Sequence, residues 1–201
     1  MIRTRNDKNK TMEKKRCEWG FEKMKPQRSE KMRIYHDTRW GKPEHRDREL
    51  FAMLVLEGAQ AGLSWALILE KEAAYRAAFD DFDPQKVAQY GDEKVAELLQ
   101  NEGIVRNKRK ILAAISNAQA FLEVQREVGS FDQYIWSFTQ GRVIDHHLQS
   151  VSDMPASDEL SETVSRDLRR RGFKFVGPTI VYSYLQGIGV VNDHVEACAF
   201  R

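Results

Sequence analysis

The chain contains two cysteines, Cys17 and Cys198, and each can be paired with a histidine that suits a metal ion. Cys198 lies four residues after His194, and on a helix that spacing places thiolate and imidazole one turn apart on one face. His36 follows Cys17 at a longer distance. Two Cys and two His form the tetrahedral ligand set of a closed, structural zinc site. Such an ion would join a segment near the start of the chain to one near its end.

The same residues allow two other interpretations. Cys and His on an apolar helix face more often pack in a core than bind metal. A disulfide between Cys17 and Cys198 is a further alternative, but the chain shows no secretory signal peptide, so we expect a cytoplasmic protein with reduced thiols. The spacing of Cys17 and His36 fits no compact zinc-finger pattern. Zinc and two ordinary buried cysteines are therefore equal alternatives on spacing alone.

Composition predicts a single soluble domain. The 201 residues suffice for one sizeable core, and 31% charged with 41% hydrophobic residues is ordinary for a soluble protein. No apolar run is long enough to cross a membrane, and nothing indicates more than a monomer. The net charge is +2, but residues 1–16 carry seven basic and two acidic side chains (+5), which leaves −3 for the rest. Residues 1–16 are therefore predicted to form a disordered basic arm, and residues 17–201 are predicted to form one helical domain.

The elements that position these residues are predicted to be helices, so the fold class is all-α. Residues 47–57 place Leu50, Phe51, Leu54 and Val55 at helical spacing. Ser64 predicts the cap of a helix that runs to about Phe79. Further helices are predicted to begin at Asp83-Pro84, at Asp92 (ending near Gly103), at residue 106 (ending at 127), at Ser157 (ending in Arg169–Arg171 before Gly172), at Pro178 (ending at Gly187 or Gly189) and at Asn192.

One loop between two predicted helices has features of a phosphate-binding hairpin. It runs from Arg171 through Gly172 and Lys174 to Pro178-Thr179, where a helix begins. Unpaired N–H groups at a positive helix end suit a phosphate, and Arg170, Arg171 and Lys174 would add charge. The loop resembles the hairpin of helix-hairpin-helix DNA-binding proteins. Taken alone, a plain turn between helices is at least as good an explanation.

The position of this loop strengthens the comparison. In helix-hairpin-helix DNA glycosylases a catalytic aspartate follows the hairpin in a stretch resembling Val-Asp-x-His, and this chain has Val191-Asn192-Asp193-His194 there. Asn192 thus occupies the aspartate position; it is suited to cap the last helix, or else to contact the sugar or backbone of DNA. Residues 16–200 closely resemble the 3-methyladenine DNA glycosylase I family. The matching segments are Cys17–Gly20, Tyr35–Asp37, Trp40–Gly41, Leu56–Trp65, Ile135–Phe138, Arg170–Gly177 and Val191–Val195.

The resemblance implies an activity, a cofactor and a partner. It implies hydrolysis of the N-glycosidic bond of 3-methyladenine in alkylated double-stranded DNA, with an abasic site as product. Alkylation at N3 makes the base cationic, so it leaves as a neutral group without a strong general acid, which agrees with Asn192. The family's structural zinc has ligands matching Cys17, His36, His194 and Cys198. A cytoplasmic protein associated with the nucleoid through DNA is expected.

The resemblance also implies roles for the site residues. Glu57 is expected to recognise the base and to serve catalysis, although sequence alone would place this glutamate in solvent. Tyr35, Trp65 and Trp19 are expected to stack on the base, whereas Trp40 and Trp136 read as core. The expected DNA contacts are Gln60, Gly62 and Leu63, which would fill the gap left by the extruded nucleotide, and Gly172, Lys174, Gly177 and Thr179 in the hairpin.

Several alternatives stay open at this point. Leu63 is equally well explained as a core contact, and Ala59 stands where family members often have glutamine. Lys174 is a candidate for Schiff-base chemistry, although an electrostatic contact is simpler. Two other functions compete with this one: a non-catalytic helix-hairpin-helix DNA-binding module with a structural zinc, and a helical protein-interaction domain. Asp193 has no settled role, and His45, His146 and His147 are assigned none.

Overall fold

The computed structural model describes residues 14–19 and 21–201, and it is mostly helical. Its elements in chain order are α1 (Pro26–Thr38), α2 (Asp47–Gln60), α3 (Trp65–Ala78), α4 (Pro84–Val87), α5 (Asp92–Gln100), α6 (Lys108–Val128), α7 (Phe131–Ser137), β1 (Ile144–Asp145), α8 (Glu159–Arg170), α9 (Pro178–Gly187) and β2 (Val191–Asn192). Short 3-10 turns span Phe21–Lys23, Asp80–Phe82 and Val151–Asp153. The helical fold expected from the periodicity is confirmed.

Side-chain caps explain where several helices begin. Ser64 accepts a hydrogen bond from the Leu67 amide at the start of α3, as predicted. The cap of α8 is Asp158 rather than the predicted Ser157. The Asp158 carboxylate accepts from the Ser161 amide at 2.6 Å, and the Ser161 hydroxyl accepts from the Asp158 amide at 2.9 Å. This reciprocal pair satisfies two amides, which a cap at Ser157 would not do.

Helix α2 forms the centre of the core. Every residue from 50 to 59 is buried, and the helix packs against α3, α6 and α9. A helix that is apolar on all sides belongs in the interior of a protein. Glu57, in its last turn, is therefore carried into the core, contrary to the solvent-exposed position that its residue type alone predicts.

Two helices were absent from the sequence prediction. In α1 the first turn contains Pro26, which favours a helix start, but most of its residues are polar. Only one side of α1 is buried, including Met32 and Tyr35, and this side faces α3. In α7 the Ser130 hydroxyl accepts from the Gln133 amide, and the helix is only seven residues long. Neither segment is long and apolar enough to show a clear helical period.

The helix predicted after Asn192 is wrong. Val191 and Asn192 instead form β2, which pairs in parallel with β1 in the register Ile144 to Val191. The Asn192 side chain accepts a hydrogen bond from the His194 amide at 3.1 Å, two residues further on. This is a local turn of the kind Asn favours, and it replaces the predicted helix cap. His194 and Cys198 are close in space through turns rather than through a helix.

The first described residues pack against the last residues of the chain and against α1. Residues 1–13 of the predicted basic arm lie outside the described residues. Within the described part, the Lys15 carbonyl accepts from the Ala199 amide at 2.9 Å, and Arg16 ion-pairs with Asp37 at 2.7 Å. Residues 15 and 16 therefore pack on the helical body. Across the described residues, no helix has the length and apolar character needed to cross a membrane.

Candidate active site and metal centre

A cavity of about 190 Å³ lies where α1, α2, α3 and α9 meet. It brings together Glu57 and all three predicted stacking residues. Its lining consists of Trp19, Met32, Tyr35, Trp40, Glu57, Gln60, Trp65, Ser183 and Gln186. Trp40 was expected to be a core residue; it is buried, and it also lines the cavity. Trp136 is a core residue that donates a hydrogen bond to the Glu44 carbonyl.

Glu57 is a buried acid without a charged partner at the floor of this cavity. Its side chain is 3% exposed, and its Oε2 atom has no hydrogen-bond partner among the described residues. Burial raises the pKa of Glu57 to about 8. Native proteins rarely leave a buried polar atom unpaired, because the lost hydration is not replaced. An unpaired buried carboxyl that lines a cavity is therefore arranged for a ligand that supplies a hydrogen-bond donor or a positive charge.

Aromatic rings form the walls of the cavity. The Tyr35 and Trp65 rings are 5.3 Å apart between centroids at 60°, and Trp19 and Trp40 are 4.6 Å apart at 75°. Burial, together with the Glu57 charge, holds the pKa of Tyr35 well above its ordinary value, so its phenol stays protonated. The buried Trp65 Nε1 also has no partner among the described residues. Such walls suit a flat aromatic ligand with hydrogen-bonding edges.

The turn that follows α2 presents an apolar side chain beside the cavity. Ala61 has φ −42° and ψ 114°, Gly62 has φ +77°, and the Leu63 amide donates to the Gln60 carbonyl at 2.6 Å. These are the features of a type II turn, which needs glycine at its third residue. Leu63 is 38% exposed at the surface. The core interpretation of Leu63 is therefore wrong, and the side chain is free to contact DNA.

Asn117 of α6 binds the backbone of the loop of residues 171–177, which connects α8 to α9. The Asn117 side chain accepts from the Lys174 amide at 2.7 Å and donates to the Lys174 carbonyl at 3.0 Å. Ser165 also donates to the Val176 carbonyl at 2.6 Å. A buried asparagine on the apolar side of α6 was the available sequence signal, and it was missed. The loop backbone is thus held rigid while the Lys174 side chain is exposed.

The basic side chains of the hairpin differ in how free they are to contact a phosphate. Arg170 and Arg171 both ion-pair with Asp167, and Arg171 also pairs with Glu127 at 2.6 Å. The predicted contribution of these two arginines to phosphate binding is therefore weakened by their acidic partners. Gly177 is the N-cap residue of α9 and Thr179 is exposed in its first turn, where no side chain caps the helix. Gly172, with φ +94°, ends α8 as predicted.

The four predicted metal ligands form one buried cluster. The candidate ligand atoms of Cys17, His36, His194 and Cys198 all lie within 4.8 Å of one another. Cys17 Sγ is 3.6 Å from His194 Nδ1, and Cys198 Sγ is 3.3 Å from the same nitrogen and 3.7 Å from His36 Nε2. Tetrahedral zinc, with bonds of about 2.3 Å to S and 2.0–2.1 Å to N, separates such atoms by roughly 3.5 Å. The donor set and its spacing fit a metal ion.

The second nitrogen of each histidine is already engaged. His36 Nδ1 is 2.7 Å from Asp37 Oδ1, and His194 Nε2 is 3.0 Å from the Trp40 carbonyl oxygen. These contacts turn His36 Nε2 and His194 Nδ1 towards the cluster, as in metal sites where outer groups orient the ligands. Burial lowers the pKa of His194 to about 4, so its imidazole is neutral, and raises the pKa of Cys17 to about 12. A cation at the centre would offset the cost of forming the thiolate.

Asp193 belongs to a buried network behind the cavity. Tyr182 donates its hydroxyl to Asp193 Oδ2 at 2.5 Å, and Gln186 Nε2 donates to the same oxygen at 2.6 Å. His146, which was assigned no role, lies 2.7 Å from Asp193 Oδ1. Neither Asp193 nor Asn192 lines the cavity. Asp193 instead orients Gln186, which does line it.

The fold and the site define a helical protein whose cavity combines aromatic walls with an unpaired buried carboxyl oxygen. A family model described as methyladenine glycosylase matches residues 25–201. The DNA-3-methyladenine glycosylase 1 of Escherichia coli K12 is 46% identical over 164 residues, which are 82% of this chain and 88% of that protein. The chain belongs to the methyladenine glycosylase family, as the sequence segments indicated.

Solved structures agree in fold over nearly the whole chain. A crystal structure of 3-methyladenine DNA glycosylase I superposes with a TM-score of 0.85 at 43% identity, covering 92% of this chain and 98% of that one. A variant of 3-methyladenine DNA glycosylase I in complex with 3-methyladenine has a TM-score of 0.82 at 37% identity, covering 84% and 91%. The chain therefore spans almost the full length of these relatives.

Proposed function

We propose that this protein hydrolyses the N-glycosidic bond of 3-methyladenine in double-stranded DNA and leaves an abasic site. The observation that carries the proposal is the unpartnered Glu57 carboxyl in a buried cavity with aromatic walls. A neutral ligand would leave an ionised Glu57 uncompensated. A cationic purine with an exocyclic amine supplies both the charge and the donor that Glu57 lacks.

The chemistry follows from the charge of the damaged base. Methylation at N3 gives the base a formal positive charge, and cleavage of its bond to the sugar releases a neutral base. The leaving group needs no general acid, so neither Glu57 nor the protonated Tyr35 phenol in the cavity lining has to donate a proton to it. Glu57 accepts a hydrogen bond from the exocyclic amine while Tyr35 and Trp65 present their ring faces to the cation. Water then adds to the oxocarbenium-like sugar carbon and releases one proton to solvent, and the product is an abasic site.

The base reaches this cavity only after leaving the helix. A damaged base is cheaper to extrude than a normal one. Leu63, exposed on the turn that follows α2, enters the gap left in the base stack, as apolar side chains do in other DNA-bending proteins, with Gln60 and Gly62 beside it. Backbone phosphates are held by the loop at Gly172 and Lys174 and by the start of α9 at Gly177 and Thr179.

The cluster of two cysteines and two histidines binds a structural zinc in this proposal. The spacing of its buried donor atoms supports zinc, which closes the site with four protein ligands. The ligands lie directly beside residues that line the cavity. His36 follows Tyr35 on α1, Cys17 precedes Trp19 by two residues, and His194 contacts the Trp40 carbonyl. The ion therefore fixes the aromatic walls and takes no part in the reaction.

Release of free bases from methylated duplex DNA, separated by chromatography, tests the proposal. The protein is expected to release 3-methyladenine and to leave 7-methylguanine in the DNA. Glu57→Gln keeps the shape of the side chain but removes its charge, and we expect the rate of 3-methyladenine release to fall at least 100-fold. Glu93→Gln makes the same change at an exposed site on α5 and should act like wild type. No release by folded wild-type protein, or equal rates in wild type and Glu57→Gln, would refute the proposal.

A further inference from the structure

Lys110 of α6 makes a contact that joins it to the turn beside the cavity. Its ammonium group donates one hydrogen bond to the Ala59 carbonyl and one to the Ala61 carbonyl, both at 2.7 Å. Ala59 is in the last turn of α2, and Ala61 is the second residue of the type II turn formed by residues 60–63. One side chain therefore bridges the helix that carries Glu57 and the turn that carries Leu63.

The location of Lys110 gives this contact a physical reason. Carbonyls in the last turn of a helix have no partner within the helix, and that end of the helix dipole is negative. An ammonium group at this position donates to the free carbonyls and places a positive charge at the negative end of the helix dipole. Lys110 itself lies in the first turn of α6, where the helix dipole disfavours a cation and where no acidic residue is present. Its charge is compensated by α2 rather than by its own helix.

The turn has few other restraints. Gln60 Nε2 donates weakly to the Leu63 carbonyl at 3.3 Å, and a Cβ on Gly62 would meet nothing within 4 Å. An exposed turn held only by its own hydrogen bonds would bend when pressed against a base stack. The two bonds from Lys110 connect it to the 21-residue helix α6, which is packed against α2, α4, α5 and α7.

We propose that Lys110 is a positioning residue that holds the turn of residues 60–63 rigid, so that Leu63 can enter the duplex and keep the lesion extruded. The inference rests on the proposed function, since it assigns Lys110 to the extrusion step and not to cleavage. The cavity does not include Lys110, so a base that is already extruded should be processed without it.

Two substrates separate extrusion from cleavage. Both are methylated oligonucleotide duplexes of the same sequence; in one the lesion is paired with thymine, and in the other it faces an abasic site, which makes extrusion cheaper. Lys110→Met retains the length of the side chain and removes the ammonium group. We expect its rate to fall 10-fold or more on the paired lesion and less than 3-fold on the unpaired one. Gly62→Ala, which strains the same turn, should show the same pattern.

Control variants distinguish a loss of the Lys110 contact from misfolding and from a failure of the proposed function. Lys108→Met removes an exposed charge two residues away and should leave both rates unchanged. Lys110→Arg should restore most of the paired-lesion rate. Equal losses on both substrates, with unchanged thermal stability, would overturn the positioning role, as would wild-type rates in Lys110→Met. A wild-type protein inactive on both substrates would refute the proposed function instead.

Discussion

Glu57 is an acid whose surroundings favour its neutral form until a cation arrives. Burial raises its pKa to about 8, and its Oε2 has no donor among the described residues. A bound cationic base stabilises the carboxylate and lowers that pKa again. In the proposed function, substrate charge and Glu57 ionisation are therefore coupled, and the rate of base release is expected to depend on pH in a defined direction.

The first prediction concerns the pH profile of base release. Because the carboxylate form binds the cation, kcat/KM should rise with pH and level off above an apparent pKa of about 8 in the free enzyme. The rise of kcat should lie at lower pH, since it reports the complex in which the base is already bound. Rates on methylated DNA between pH 5.5 and 9.5 measure both. A kcat/KM profile that is flat across this range would contradict the role of Glu57.

The second prediction concerns stability. The folded-state pKa of Glu57 lies above its ordinary value of 4.5, so the folded state binds the proton more tightly than the unfolded state. Glu57 therefore lowers the free energy of unfolding as pH rises from about 4.5 to about 8, by roughly 5 kcal/mol, with no further change above that range. Glu57→Gln should be more stable than wild type at pH 8 and similar at pH 4.5. Urea denaturation at both pH values measures the difference.

At the scale of elements, the function depends on loops whose backbones are held by distant side chains. Asn117 of α6 binds both backbone groups of Lys174, and Lys110 of the same helix binds two carbonyls at the end of α2. Helix α6 thus supports the hairpin and the turn together. Arg109 and Lys174 also line one groove of about 560 Å³ between α6 and the hairpin, which adds a second cation to this side of the molecule.

The third prediction tests the support of the hairpin. Asn117→Ala leaves the Lys174 amide and carbonyl without their partner, at a cost of about 1–3 kcal/mol in stability. We expect weaker binding to undamaged duplex DNA and unchanged binding of free 3-methyladenine, because Asn117 does not line the cavity. Gln119→Ala, two residues further along the same helix, is the matched control. Fluorescence anisotropy with a labelled duplex gives the affinity, and unaltered DNA binding in Asn117→Ala would contradict the proposed hairpin interface.

Sequence patterns identified the helices that have a clear apolar period or a clear cap, and failed where the apolar side is narrow or the pairing is non-local. Helix α2 was predictable because Leu50, Phe51, Leu54 and Val55 follow a helical period, and α3 because Ser64 is a good cap. Helix α1 was missed because only one narrow side of it is apolar. The prediction of a helix after Asn192 was wrong because β1 and β2 pair residues that are distant in sequence. The local sequence pattern does not predict such a pairing.

The site was predictable only in part, for a related reason. Residue type and family resemblance named Glu57, Tyr35, Trp65 and Trp19, and the structure places them in one cavity. Lys110, Asn117 and Gln186 act through backbone contacts or a buried network, and their partners lie far away in the sequence. Their residue types alone do not distinguish them from ordinary helix residues.

At the scale of the whole molecule, the segment around Cys17 and the last residues of the chain meet at the proposed zinc site. The ligands come from the segment before α1, from α1 itself and from the turns after β2. The cavity lies against this cluster, since the Trp19 and Trp40 rings are each within about 5 Å of a ligand histidine ring, at 4.9 Å from His36 and 4.6 Å from His194. Loss of the ion would loosen the cavity wall and the chain ends together.

The fourth prediction is one zinc per chain with a structural role. Removal by a chelator should lower the midpoint of thermal unfolding by about 10 °C or more, because several kcal/mol of metal binding are also folding free energy. Cys198→Ser should lose the metal and show a similar decrease. Elemental analysis of protein purified without chelator measures the stoichiometry. Protein that is fully folded and active without any metal would contradict this role.

Titration of free 3-methyladenine into the protein, followed by tryptophan fluorescence, tests the central claim most directly. Trp19, Trp40 and Trp65 line the cavity, so a stacked base should quench their emission. The exocyclic amine of the neutral free base still donates a charge-assisted hydrogen bond to the Glu57 carboxylate. We therefore predict saturable quenching in wild type and at least 10-fold weaker binding in Glu57→Gln, with Glu93→Gln unchanged. Equal affinity in wild type and Glu57→Gln, or no quenching in either, would contradict the assignment of this cavity and of Glu57 as the base-recognition site.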